Sequence, residues 1–293
     1  MLNRQRIILS LIQNAGRVVE RISLVKYAFL MANGGYLPEY FPFYDFLPYN
    51  YGAFSFTLAR ELQILENYGY ITGDEKSVWI RPDMLGEVRK IIGRAPTELC
   101  AAVVKVLSAY GAMTQQMLLK TVYVAHPSFT YRSKLKDLIP PSAKEPDPAS
   151  LGVYTMGYQG RSVDGFFQSI LQNGIKNIID VRANPVSRKY GFAKSTLSLI
   201  SKKLHVGYQH IPQLGISSDA RKGLGTVVTY KALLDDYESR ILPERIGARR
   251  MAIQAALSMP SVLVCMEEDP CNCHRGRLAT SMSVDCGLPT HHL

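Results

Sequence analysis

The segment Ser261-Val-Leu-Val-Cys-Met-Glu-Glu-Asp-Pro-Cys-Asn-Cys-His-Arg275 reads as a buried strand running straight into a helix. Its first half is an apolar, partly β-branched run of strand length, Pro270 breaks the ladder, and a long helix over 273–284 follows. Working outward, the same alternation recurs. Val153-Tyr-Thr-Met156 is a strand and Val163 to Gln172 a helix that stops near Gly174. Asn177-Ile-Ile-Asp-Val-Arg182 is a second buried strand, Lys194 to Leu204 a helix, and Tyr208-Gln-His-Ile-Pro212 a third strand. Two helices, near 229–241 and 244–258, lead back to Ser261. Alternating strands and helices predict a mainly parallel sheet with helices on both faces, and ligands beyond the C-terminal ends of the strands.

The preceding half is different, so the chain is expected to be an α+β protein of two domains. Ile7, Ile8, Leu11 and Ile12 mark one helix, and Ile22, Val25, Phe29 and Leu30 a second after Gly16. The aromatic, proline-bearing stretch Tyr36 to Tyr51 is too irregular for one helix. Phe54 to Tyr68 is a strong helix with Leu58, Leu62 and Leu65 on its stripe and Gly69 as its stop. Tyr70-Ile-Thr and Val78-Trp-Ile then flank Gly73-Asp-Glu-Lys as a hairpin, and further helices follow over 83–92, 97–109 and 113–125. Helices followed by a helix and a two-stranded wing is the order of a winged helix-turn-helix. The boundaries expected are a helical domain over 1–125, a proline-rich linker over 126–150 and an α/β domain over 151–293.

A net charge of +10 favours polyanionic partners, and both halves carry the excess. The candidate recognition helix holds Arg60 but also Glu61 and Glu66, so its face is not strongly basic. No apolar run reaches the roughly 18 residues of a membrane span. The N-terminal arginines and apolar run are interrupted by Gln13 and Asn14 without a cleavage site, so a cytoplasmic protein with no membrane association is expected. Five cysteines, an odd number, argue against a disulfide framework. Four of them lie in the last 30 residues, which directs attention there.

Chemistry is expected at the strand ends. The first strand leads into Gly157-Tyr-Gln-Gly-Arg161, a turn whose N–H groups can approach an anion, with Ser162 or Asp164 capping the next helix. The second delivers Asp180 and Arg182, then Ser187 and Arg188. Either Asp180 and Arg182 form a structural ion pair, or Arg182 and Arg188 bind substrate oxygens while Asp180 orients an arginine or acts as a base. The fourth delivers Glu267, then Cys273, His274 and Arg275 at a helix N-terminus, where anions are favoured and a thiol pKa falls. Four readings stay open for this last group. They are a phosphate cradle, a Cys273 nucleophile, zinc held by Cys265, Cys271, Cys273 and His274, and a structural arrangement. Neighbouring residues are expected to point apart, so Cys273 and His274 count against zinc. The cradle is taken forward, with no metal and no cofactor expected.

Two resemblances add to this. Tyr154-Thr-Met-Gly-Tyr-Gln-Gly-Arg-Ser162, Asp180-Val-Arg182 with Pro185 and Ser187, Pro212-Gln-Leu-Gly215, and Cys265-Met-Glu-Glu-Asp-Pro270 followed by Cys273-His-Arg275 resemble the DUF488 family in order across 151–293. That resemblance implies site residues rather than a reaction. Tyr158 stands where the family commonly has histidine, and Cys271 matches no motif position. Tyr44-Asp-Phe-Leu-Pro-Tyr-Asn-Tyr-Gly-Ala-Phe-Ser-Phe56, with the Leu-rich helix and Gly69-Tyr-Ile71, resembles the YwgA-like winged-helix proteins of bacteria and archaea over about 5–75.

The expectation is a nucleic-acid-directed hydrolase, with DNA the favoured substrate over RNA or a free nucleotide. Asp180 and Glu267 are the acid/base candidates, with Tyr158 stacking on a base or donating a hydrogen bond. Gly157, Arg161, Arg182, Ser187, Arg188, Cys273, His274 and Arg275 would hold phosphate. Without an evident carboxylate metal cluster, N-glycosidic cleavage, as by a DNA glycosylase, is favoured over phosphodiester cleavage. The alternatives are a non-enzymatic DNA or nucleotide sensor and a thiol-based transfer or redox enzyme. Oligomeric state is not encoded in any of these features.

Overall fold

The computed structural model describes residues 1–16, 18–217, 219–221 and 227–293. The chain divides into two compact units, Met1–Glu145 and Pro146–Leu293.

The first unit is mostly helical. Its elements are α1 (Asn3–Asn14), β1 (Val19–Glu20), α2 (Arg21–Asn33), β2 (Leu47–Tyr49), β3 (Gly52–Phe54), α3 (Phe56–Asn67), β4 (Ile71–Gly73), β5 (Ser77–Ile80), α4 (Leu85–Ile92), α5 (Thr97–Tyr110) and α6 (Gln115–Ala125). Helix α3 starts where Ser55 Oγ accepts the Leu58 N–H, buries Leu58, Leu62 and Leu65, and stops at Gly69, whose φ is +74°. The following hairpin pairs β4 with β5, and the short β1 adds to β5 to give an antiparallel β1-β5-β4 sheet. The irregular aromatic stretch ends in β2, which pairs with β3 just beyond it in a hairpin too short to leave a periodic signal. Helix α2 is buried from Ser23 to Met31 and so has no polar face. Part of the proline-rich stretch after α6 packs into this unit. Thr130 and Ser133 are buried, Tyr123 and Ser133 share a 2.7 Å hydrogen bond, and the Lys134 N–H donates to Asn50 O.

The second unit contains β6 (Val153–Gly157), α7 (Val163–Gln172), β7 (Asn177–Asp180), α8 (Lys194–Lys203), β8 (Gly207–His210), α9 (Val227–Asp236), α10 (Leu242–Glu244), α11 (Ile246–Ser258), β9 (Ser261–Cys265), α12 (His274–Cys286) and β10 (Thr290–His292). All five strands are parallel, in the order β10-β6-β9-β7-β8. The parallel sheet read from the sequence is therefore present, with one strand more than expected. Thr290-His-His292 is polar and lies at an edge, so no apolar run announces it. β9 is central and buried throughout, which is why its sequence reads as a continuous apolar run.

Side chains alternate across the sheet. Val153, Ile179, Val181 and Leu263 pack with Ala252 and Ala256 of α11 and Leu278 and Met282 of α12. By the same alternation Cys265 shares that face, while Asp180 points to the other.

Candidate functional site

Two polar clusters stand at the C-terminal edge of this sheet, one on each face. The first is built around Asp180, which is fully buried at the end of β7. Arg182 Nε donates to Asp180 Oδ1 at 2.8 Å and Nη2 to Oδ2 at 2.6 Å, a bidentate pair. The Tyr208 hydroxyl also donates to Oδ2, at 2.7 Å. Arg182 Nη1 donates to Phe192 O at 2.7 Å and to the Tyr158 hydroxyl at 3.4 Å, and its guanidinium carbon lies 5.2 Å from the Tyr158 ring centroid. Burial alone would depress Arg182, but Asp180 outweighs it and holds the guanidinium above its ordinary value. Burial, reinforced by the Asp180 carboxylate, pushes the Tyr208 hydroxyl up. Of the two readings of Asp180 and Arg182, the geometry favours the structural ion pair.

Tyr158, expected to meet a base, is itself stacked within the fold, 4.3 Å from Phe192 with the rings 12° apart. His210, opposite Asp180 in the β7–β8 register, donates from Nε2 to Arg182 O at 2.8 Å and accepts at Nδ1 from Lys194 Nζ at 3.0 Å. Sequence reading missed Tyr208, His210 and Phe192. The signal was there for two of them, since Tyr208 and His210 alternate on one face of a short strand. Beside this cluster a groove of about 590 Å³ is lined by Asn184, Pro185, Val186, Ala193, Lys194 and Ser195. Arg188 and Lys189 are exposed on the loop leading to α8, and Ser187 Oγ accepts the Lys189 N–H as a turn contact. Arg161 reaches in another direction, to Leu293 O at 3.2 Å.

The second cluster joins β9 to α12. Cys265 and Cys273 donate to the same oxygen, Glu267 Oε2, at 3.2 and 3.0 Å. His274 Nδ1 lies 3.7 Å from Cys265 Sγ and 4.0 Å from Cys273 Sγ. Its Nε2 faces Val181 O at 3.2 Å. A carbonyl only accepts, so Nε2 carries the proton, and in the neutral ring Nδ1 presents a lone pair to both sulfurs. The Tyr237 ring packs edge-on against this imidazole at 5.5 Å. Cys265, Cys273 and His274 are buried, whereas Glu267 is half-buried.

Cys273 and His274 were expected to diverge, but they converge. Cys273 is extended, with φ −145° and ψ 138°, and His274 is the first residue of α12. The change of backbone conformation between them turns both side chains inward. Burial pushes the Cys273 thiol up and outweighs the imidazole beside it, which argues against a free thiolate nucleophile. Cys271 is exposed and belongs to a separate groove with Pro270, Arg277, Thr280 and His292.

Two residues expected to bind phosphate position Glu267 instead. Arg275, 1% exposed, donates from Nη1 to Glu267 O and from Nη2 to Glu268 O at 2.7 Å. Gly157 lies under the same carbonyl, where an added Cβ would stand 1.8 Å from Glu267 O. Clamped from both sides, the backbone after β9 has little freedom to carry Glu267 elsewhere.

Ser162 caps α7 by accepting the Gly165 N–H at 2.9 Å. Among the described residues no helix is long and apolar enough to cross a membrane.

No curated protein and no solved structure matches the chain. Residues 162–282 match the family model DUF488, described as a domain of unknown function, and the C-terminal unit accordingly carries a DUF488 domain.

Proposed function

We propose that the C-terminal unit is a hydrolase acting on nucleic acid, with DNA as the first substrate to test and a free nucleotide as the simpler variant. The observation that carries this reading is the cluster at the end of the central strand. There a half-buried carboxylate, Glu267, is held against two thiols, with the His274 imidazole on the far side of those sulfurs, at the sheet edge where parallel α/β folds bind ligands. Glu267 is the carboxylate assigned to water activation, since Asp180 is sealed by Arg182 and Tyr208. Arg188, Lys189 and Lys194 supply positive charge around the groove at the same edge. Cleavage of an N-glycosidic bond is the reaction to test first, because a carboxylate acting as general base can deliver water to a cationic sugar. On duplex DNA the target nucleotide would first leave the stack.

The N-terminal unit supports a role in holding that substrate. Its order α1-β1-α2-β2-β3-α3-β4-β5, with the β2–β3 hairpin inserted between α2 and α3, and its YwgA-like resemblance are compatible with a winged-helix module. The acidic residues of α3 do not spoil its exposed face. Glu61 is buried against Arg4 and Tyr44, and Glu66 pairs with Arg21. Arg60, Gln63 and Asn67 remain exposed at helical spacing.

The sealed state of Asp180 favours one second reading, a nucleotide or DNA sensor without turnover. Incubation of the full chain with labelled single- and double-stranded DNA, normal and base-modified, separates the two. Abasic sites or strand breaks that vanish in Glu267→Gln support the hydrolase. Salt-sensitive binding without product supports the sensor.

A further inference from the structure

We infer that Cys265, Cys273 and His274 bind one zinc-class divalent ion, with Glu267 facing its fourth side. The argument begins with the donor atoms. Sγ of Cys265, Sγ of Cys273 and one ring nitrogen of His274 lie within 4.8 Å of one another. Tetrahedral zinc, with bonds of about 2.3 Å to sulfur and about 2.0 Å to nitrogen, separates such atoms by roughly 3.5–3.8 Å. The sulfur-to-Nδ1 distances of 3.7 and 4.0 Å need only a small inward movement to reach that edge length.

The imidazole is also prepared for a ligand. Its Nε2–H is spent on Val181 O, the usual outer partner of a metal-bound histidine, so Nδ1 is the atom left facing the sulfurs. Gly215 keeps that partner in place. A Cβ there would stand 2.1 Å from Ala183 N and 2.7 Å from Val181 O, so the Pro212–Leu214 turn can only pass this close with glycine behind it. The site further combines burial with access. The three ligands are buried, while Glu267 is half-buried, its Oε2 3.0 and 3.2 Å from the sulfurs and its Oε1 3.4 Å from the Tyr230 hydroxyl. Three protein ligands with a non-ligand carboxylate at the fourth side is the arrangement of catalytic zinc sites rather than closed structural ones. On binding, each thiol releases its proton to solvent, and the two thiol hydrogen bonds to Glu267 Oε2 are replaced by contact with the ion or its water.

This inference goes beyond the hydrolase reading and stands without it. The test is metal content. Full-length protein is loaded with zinc, desalted and assayed by inductively coupled plasma mass spectrometry. One equivalent per chain is expected in the wild type and in Cys271→Ser, whose thiol lies outside the cluster. Cys273→Ser and His274→Ala should fall to background, and Glu267→Gln should bind about 10–100-fold more weakly. Because the buried variants risk misfolding, cobalt(II) is also titrated into the wild type. Thiolate-to-cobalt charge transfer and the intense visible bands of a tetrahedral ion are expected. A wild-type chain that retains no zinc and gives no such spectrum overturns the inference, as does loss of zinc from Cys271→Ser alone. Zinc retained with no product from any DNA would sink the hydrolase and leave the metal site standing.

Discussion

The two polar clusters at one sheet edge are each built around a carboxylate, and they hold it differently. On one face Asp180 meets a guanidinium along both of its oxygens and a tyrosine hydroxyl besides, all within the fold. On the other, Glu267 meets two neutral thiols that a metal would deprotonate, beside an imidazole lone pair. A carboxylate saturated by charged internal donors has little left to offer a substrate. Glu267 is half-buried, and the donors that meet it include the Tyr230 hydroxyl at 3.4 Å as well as the two thiols. The comparison teaches that an arginine near an acid is informative only when its N–H groups can be followed to their partners.

The sharpest way to break this contrast is Asp180→Asn. If the pair is structural, the unpaired Arg182 left inside should cost about 3–5 kcal/mol in denaturant unfolding. The double replacement Asp180→Leu with Arg182→Met should recover most of that loss. A folded Asp180→Asn protein of normal stability that has lost only activity would return Asp180 to the catalytic role.

Lys26 supplies a third case, a buried charge with no carboxylate partner among the described residues. It is 1% exposed, its Nζ donates to Ala53 O at 2.7 Å, and it lines a largely apolar cavity of about 200 Å³ with Tyr49 and Phe54. Burial lowers its pKa from 10.5 to about 7. Below about pH 7 the lysine is charged in both folded and unfolded chains, and the burial cost is present in full. Between about 7 and 10.5 the folded chain has released a proton that the unfolded chain still holds, so stability rises with pH. The span is on the order of 5 kcal/mol. Lys26→Met should flatten it and raise the melting temperature at pH 6, as differential scanning calorimetry at several pH values would show.

A smaller effect sharpens the other side of the comparison. Gly157→Ala forces the Glu267 carbonyl to move, at about 1–3 kcal/mol, and leaves Asp180 untouched. If the proposed hydrolase reading holds, turnover on DNA should fall more than stability does. Glu267→Gln is the smallest expected change in folding, within about 0.5 kcal/mol, because the side chain is half-buried and an amide oxygen still accepts from the thiols. A large loss of stability there would mean that Glu267, like Asp180, is a structural group.

Much of the second unit was legible before any coordinates. Strands buried on both faces must be apolar throughout, so β7 and β9 announce themselves, and parallel order follows from the helices between them. The prolines after α6 were read as a linker, but proline excludes regular structure and not packing, and Thr130 and Ser133 are buried in the first unit. The residues of the candidate site were named almost completely, although their roles were not. Arg275 and Gly157 looked like phosphate binders, yet a guanidinium is equally suited to gripping a backbone carbonyl, and a glycine to letting one pass.

Composition and periodicity by themselves determined an α/β half with polar residues at its strand ends, because a hydrophobic core leaves its pattern in every residue that lines it. They did not determine which of those residues share a face. That was decided by the β6-β9-β7 strand order and by the extended backbone of Cys273 ahead of α12, which bring Cys265, Cys273, His274 and Glu267 together. Contacts between side chains distant in the chain leave no period in the sequence, so only the folded backbone separates a sealed carboxylate from a half-buried one.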